Sequence, residues 1–456
     1  MAQLWLDAVM KKLILMGLAL PSLVISAPVN SAATDHIAYD IVEGLTTEVG
    51  QRLAGTEAEA RARDWAVVRL KSLGFANVHI ETYNMPVWER GIETAEIVSP
   101  FPQKLVLTAL GSSGATPAGG LTAGVVGFAS LEAFIAAPDS LVKGKIAYVS
   151  HQMKAAQDGS GYGPFGQVRR IGPNIAAKKG VAAFLIRSVG TDNARAPHTG
   201  MTRWDKDVTP IPTAALSNPD ADNLERMLAR AKTPVSIHLT LTPKFTGQHQ
   251  SGNVIAEVPG SDAKAGMVII GGHLDSWDLG TGAVDDGAGI AITTAAAKRI
   301  LDGPKPRRTI RVVWWGSEEV GGFGSDAYFA AHKSEKHALA AESDFGADRV
   351  WRVDFKLPQI AKALGDRIST ALSTLGITRG KADAGGGADV EKLVEAGVPV
   401  IDLQQDGTRY FDLHHTPDDT LNQIDPVQLQ QNVEAWAIMV GLVANAPEDL
   451  MAGQSQ

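Results

Sequence analysis

The hydrophobic positions change their period along this chain, and each change predicts a different kind of structure. Over residues 56–73, Ala62, Ala66, Leu70 and Leu73 recur every three or four positions among charged neighbours, the pattern of an amphipathic surface helix. Thr56 with Glu59 three residues later makes a capping-box pattern at its start, and Gly74 can close its end. From about Pro100 to Pro243 the period shortens to β-branched runs broken by glycine: residues 124–127 (GVVG), 144–149 (GKIAYV) and 182–186 (AAFLI). Residues 174–180 (NIAAKKG) predict a helix feeding the last of these. This texture predicts a small inserted β-rich domain over residues 106–245. It holds no His or carboxylate cluster with metal-ligand spacing, so its expected role is to shape or cover a neighbouring site.

From about Gly252 strands, glycine turns and helices repeat. Residues 267–271 (MVIIG) read as a buried strand, 290–301 as an Ala-rich helix and 309–315 (TIRVVWW) as a second strand. Strands alternating with helices predict an α/β fold built on a mixed, mainly parallel sheet flanked by helices. Residues 34–105 and 246–446 would then form one main domain around the insert, with a flexible tail over 447–456. Function in such sheets gathers where the strands end at their carboxyl edge.

Two further features narrow the setting. In residues 1–33, Lys11 and Lys12 precede an apolar run from 13 to 25 and then small residues through Ala33, the layout of a secretory signal peptide. The run is about 13 residues, short of the ~20 that a spanning helix needs, so no integral membrane segment is expected after its removal. Export to the periplasm or the exterior follows as an expectation. Lys plus Arg number 42 and Asp plus Glu 50, and a net charge of −8 offers no basic footprint for nucleic acid. With no cysteine, any metal must sit on His and carboxylates.

The chemistry lies in five strings: residues 272–276 (GHLDS), 284–289 (VDDGAG), 316–319 (GSEE), 342–344 (ESD) and 413–420 (LHHTPDDT). Singly each has an ordinary reading: Asp-Asp-Gly as a turn, paired glutamates as a solvated strand end, a lone His as a core residue. Together they supply the imidazole and carboxylate donors that a divalent ion such as zinc takes. Asp275 stands two residues from His273, so its carboxylate can hold the second imidazole nitrogen and fix the tautomer. Adjacent Glu318 and Glu319 point different ways, so one can bind metal while the other faces water. Tyr410 stands in the loop before the last string, where it could face an oxyanion or simply pack.

In order and spacing these strings resemble the zinc peptidases of metallopeptidase family 28, the aminopeptidase and glutamate carboxypeptidase family. Residues 271–289 (GGHLDSWDLGTGAVDDGAG) and 315–325 (WGSEEVGGFGS) are most similar to its plasma glutamate carboxypeptidase branch. The resemblance spans about residues 35–446 and implies a zinc exopeptidase fold with an inserted protease-associated domain. It implies two zinc ions, one on His273, Asp285 and Asp344, the other on Asp285, Glu319 and His415, with Asp285 bridging. Glu318 matches the family's general base and Asp275 the partner of the first histidine. His415 is preferred to His414 because the family's ligand directly precedes Thr or Ser, here Thr416. The implied activity is hydrolysis of dipeptides or short peptides, with a general aminopeptidase, or a non-catalytic receptor on the same fold, as alternatives; a homodimer is a further possibility from relatives.

Overall fold

The computed structural model describes residues 36–452; the leader read in residues 1–33 and the last four residues of the tail lie outside the described residues. The main sheet has eight strands: β1 (Ala76–Glu89), β2 (Lys244–Val258), β3 (Met267–His273), β4 (Ile310–Trp315), β5 (His337–Glu342), β6 (Val350–Lys356), β7 (Thr378–Arg379) and β8 (Val400–Gln405). Their spatial order is β1-β2-β4-β3-β5-β8-β6-β7. The centre, β4-β3-β5-β8, is parallel, whereas β1, β2 and β4 pair antiparallel on one side and β6 with β8 on the other. The mixed α/β sheet is therefore as the periodicity predicts.

Burial on both faces explains the near-continuous apolar strands. Along β4, Ile310, Val312 and Trp314 enter the core beneath helices Ala288–Leu301 and Pro426–Asn445, while Val313 and Trp315 enter a second core that includes Tyr328 and Leu393. The first predicted helix spans Glu57–Ser72, with the Thr56 hydroxyl accepting from the Glu59 amide at 3.3 Å. The other half of the capping box is different: buried Glu59 instead pairs with Arg63 at 2.8 Å and accepts from Ser251.

A second eight-stranded sheet runs from Glu93–Ser99 to Ser236–Leu241. It starts before residue 106 because Glu93–Ser99 pairs antiparallel with Ser236–Leu241, Glu93 opposite Leu241. Strands Leu121–Phe128, Ile146–Val149, Ala183–Arg187 and Thr213–Leu216 run parallel within it. The parallel crossovers carry helices, among them Leu131–Ala136 and Tyr162–Arg170, so this part is α/β in character rather than simply β-rich. The expected flexible tail is also different where it is described. Leu450 is buried, and Arg308 donates to the carbonyls of Val443, Ala446 and Glu448, capping the last helix and pinning the chain beyond it. No described helix is long and apolar enough to cross a membrane.

His337 opens β5 in the core, and burial holds its imidazole down to about 4 from an ordinary 6.5, with Glu335 opposing. A depressed pKa means that the unfolded chain binds the proton first. The stability tied to neutral His337 is thus complete above pH 6.5 and is lost as pH falls toward 4, by about 3 kcal/mol. Denaturant titrations at both ends of that window should show a smaller acid loss in His337→Phe than in the natural chain; an equal loss would refute the assignment.

Candidate active site

Three of the five strings leave the carboxyl ends of adjacent parallel strands. β3 ends at His273, which lies opposite Trp315 at the end of β4, and Gly271 lies opposite Glu342 at the end of β5. Residues 316–319 and 342–344 therefore emerge beside His273. The segment holding Asp285 precedes helix Ala288–Leu301, and its Asp285–Asp286 peptide bond is cis. The chain after β8 returns through Tyr410–Leu413 to bring in His414 and His415.

The five expected ligands form one connected cluster. His273 Nε2 is 3.1 Å from Asp285 Oδ1 and 3.5 Å from Asp344 Oδ1. His415 Nε2 is 3.3 Å from Asp285 Oδ2 and 2.9 Å from Glu319 Oε2. His414 stacks on His415 with ring centres 3.4 Å apart, but its Nε2 is 3.7 Å from Asp285. His415 Nδ1 also lies 3.2 Å from the Thr199 carbonyl, an acceptor that leaves Nε2 free to ligate. One detail corrects the sequence reading. His273 Nδ1 is held by the backbone carbonyl of Asp275 at 2.8 Å, with the carboxylate 3.9 Å away. The Asp275 carboxylate instead accepts from the Glu318 amide at 3.1 Å, so it positions the turn that carries both glutamates. The tautomer is fixed as expected, by a different atom.

Other side chains hold the backbone that carries the cluster. Buried Arg52 donates to the carbonyls of Leu274, Thr281 and Gly282, tying down the loop between His273 and Asp285. Asp419 accepts from the amides of Val284 at 2.6 Å and Asp285 at 3.2 Å. Asp286 accepts from the amides of His273 and Gly289, both at 3.0 Å, and a carboxylate oxygen of it also lies within 4.8 Å of ligand atoms of His273 and Asp344. Glycine is required there: a Cβ on Gly289 would stand 1.8 Å from the Ser343 carbonyl oxygen and 2.3 Å from Asp286.

The electrostatics call for cations. Burial raises the pKa of Glu319 and Asp344, with Asp285 adding to both. Burial also pushes Glu318 up to about 8, helped by Asp344, Asp275 and Asp285 against His273. For His273 burial opposes protonation, yet the carboxylates of Asp344 and Asp285 outweigh it and lift its pKa well above the ordinary range. Among the described residues no Lys or Arg forms an ion pair with Asp285, Glu318, Glu319 or Asp344. Asp285 Oδ2, Glu319 Oε1 and Asp344 Oδ1 are buried without hydrogen-bond partners. Unpaired buried carboxylates are costly, and a divalent ion is the partner that this nitrogen and oxygen donor set fits.

A cleft of about 380 Å³ opens beside the cluster, lined by Asp285, Glu318, Glu319, Asp344 and Tyr410 and, from the second sheet's connections, by Tyr162 and arginines. Tyr410 packs 4.7 Å from Phe345, ring centre to ring centre. A His and carboxylate cluster suited to metal, with a further glutamate facing a cleft at a sheet's carboxyl edge, defines a metal-dependent hydrolase; matches to known proteins make it a metallo-exopeptidase. The chain belongs to peptidase family M28, whose model matches residues 253–440, as the motifs predict. Carboxypeptidase Q from Mus musculus is 36% identical over 415 residues, covering 90% of this chain and 86% of that protein. Carboxypeptidase Q from Homo sapiens is 35% identical over the same length and shares. The crystal structure of a peptidase M28 precursor from Shewanella amazonensis superposes with a TM-score of 0.90 at 48% identity, covering 93% of this chain and 97% of that one. A zinc aminopeptidase from Bacillus subtilis shares the fold, with a TM-score of 0.64 at 22% identity over 92% of this chain and 98% of its own.

Proposed function

We propose that this chain is an exported zinc exopeptidase that hydrolyses dipeptides or short peptides, with two zinc ions bridged by Asp285. The observation that carries this reading is the placement of Asp285 between two imidazoles, Oδ1 toward His273 at 3.1 Å and Oδ2 toward His415 at 3.3 Å. Asp344 completes the first ligand set and Glu319 the second. Zinc held there would lower the pKa of water and stabilise the oxyanion that develops on the peptide carbonyl. Glu318, held in place through its amide by Asp275, takes the proton of the attacking water and returns it to the leaving amine. Residues 93–241 act as the inserted protease-associated domain, closing one side of the cleft. Export rests on residues 1–33, and the short substrate rests on the family resemblance carried by residues 271–289 and 315–325.

The test is hydrolysis by the zinc-loaded chain of a free dipeptide, the same dipeptide acetylated at its amino end, and an amino-acid anilide. Cleavage of the free dipeptide alone is the expected result. Strong anilide cleavage would move the reading to a general aminopeptidase, and cleavage of none with metal bound would overturn it.

A further inference from the structure

The loop that delivers His415 is held from outside the main sheet. His415 has a φ of 63°, a left-handed backbone that a residue bearing a side chain keeps only where its surroundings hold it. Bonds inside the loop engage the carbonyls of Tyr410 and Leu413, which accept from the amides of His414 and Thr416. Those of Phe411, His414 and His415 accept instead from residues 191–199, which follow strand Ala183–Arg187 of the second sheet. Phe411 accepts from the Thr191 amide at 3.0 Å, His414 from His198 Nδ1 at 2.7 Å and His415 from the Thr199 amide at 3.1 Å. The Thr191 hydroxyl adds a bond to the Asp412 carboxylate at 2.6 Å. In return, the Thr199 carbonyl lies 3.2 Å from His415 Nδ1, so backbone and imidazole of the same ligand are both tied to one segment.

His198 is the centre of this clamp. The ring is buried, and because a carbonyl can only accept, Nδ1 carries the hydrogen that it donates to His414. Nε2 faces Asp192 Oδ2 at 2.6 Å, and Asn218, at the start of helix Asn218–Arg230, donates to the same oxygen at 3.2 Å. The His198 amide donates to the Ser188 hydroxyl oxygen at 2.9 Å, and that hydroxyl donates to the Leu216 carbonyl at 2.7 Å. Ring and backbone of His198 are thus fastened to the ends of two strands of the second sheet, Ala183–Arg187 and Thr213–Leu216. Residue 190 must be glycine for the ring to sit there, since a Cβ on Gly190 would stand 2.2 Å from His198 Nε2. None of Thr191, Asp192 and His198 lines the cleft, so contact with substrate does not account for them. We propose that His198, oriented by Asp192, is a positioning residue for the metal ligand His415, and that the inserted domain thereby forms part of the metal centre. This rests on the zinc exopeptidase reading above and deepens it.

The test joins two readouts, neither of them turnover. In the metal-free chain, amide hydrogen exchange over residues 411–416 should be at least about tenfold faster in His198→Ala than in the natural chain, with residues 284–290 unchanged. Zinc affinity, measured by competition with a chromophoric chelator, should fall about 10- to 100-fold for one of the two ions and stay as it was for the other, the loss expected when the group behind a ligand is removed. His198→Asn, which places an amide N–H where Nδ1 stood, should recover most of both effects. If His198→Ala fails to fold, Asp192→Asn decides in its place, with the same ion held about fivefold more weakly once the charge that orients the ring is gone. Unchanged exchange, or unchanged zinc affinity, in the folded variant would overturn the proposal. A natural chain that takes up no second zinc ion, with exchange over 411–416 still faster in the variant, would reject the two-zinc reading and leave the clamp on the loop in place.

Discussion

Glu318→Gln is expected to reduce turnover of a free dipeptide by about 10²–10⁴-fold while leaving fold and metal content unchanged. The two adjacent glutamates differ in what they touch. Both line the cleft, but Glu319 Oε2 lies 2.9 Å from His415, inside the ligand cluster, whereas Glu318 is anchored through its backbone to Asp275. Burial and neighbouring carboxylates push Glu318 up to about 8, which keeps it protonated at neutral pH when no cation is near. Cations on the adjacent ligands favour its ionised form and turn it into a base. Glutamine preserves shape and removes only the ability to take and return a proton. Steady-state rates beside metal analysis and circular dichroism decide the matter: near-normal turnover would sink the assignment, and lost metal would make Glu318 a ligand instead.

The site was legible in the sequence where it obeys the sheet. His273, Glu318, Glu319 and Asp344 follow apolar strands, and because β3, β4 and β5 are parallel neighbours, their ends converge at one edge. Asp285 and His415 were legible from their motifs. The atoms were less so: nothing in GHLDS distinguishes the carboxylate of Asp275 from its backbone carbonyl as the partner of His273, because that depends on how the chain turns on leaving β3. Arg52 escaped for another reason. Arg52 acts on carbonyls more than 200 positions away, and a single arginine outside any periodic pattern carries no local signal of burial. Pairing, not composition, sets which strands share a sheet: Glu93–Ser99 joins the second sheet because it meets Ser236–Leu241.

Asp285→Ala should cost more than any other single change in the cluster, because the side chain is shared. One oxygen faces His273 and the other His415, so its removal takes a ligand from both proposed ions, while Glu319 or Asp344 serves only one. The backbone beneath it should stay in place, since Asp419 holds the amides of Val284 and Asp285 and Asp286 holds those of His273 and Gly289. Metal per chain after dialysis is therefore expected to fall from about two ions to less than one, with activity falling at least as far as in Glu318→Gln. Linkage supplies a readout independent of activity. A ligand that binds only the folded state raises Tm, so a chelator should lower the Tm of the natural chain and leave that of Asp285→Ala nearly unmoved. A variant that keeps both ions and its chelator response would show that Asp285 does not bridge, and would shift attention to His414, whose Nε2 lies 3.7 Å from the same carboxylate.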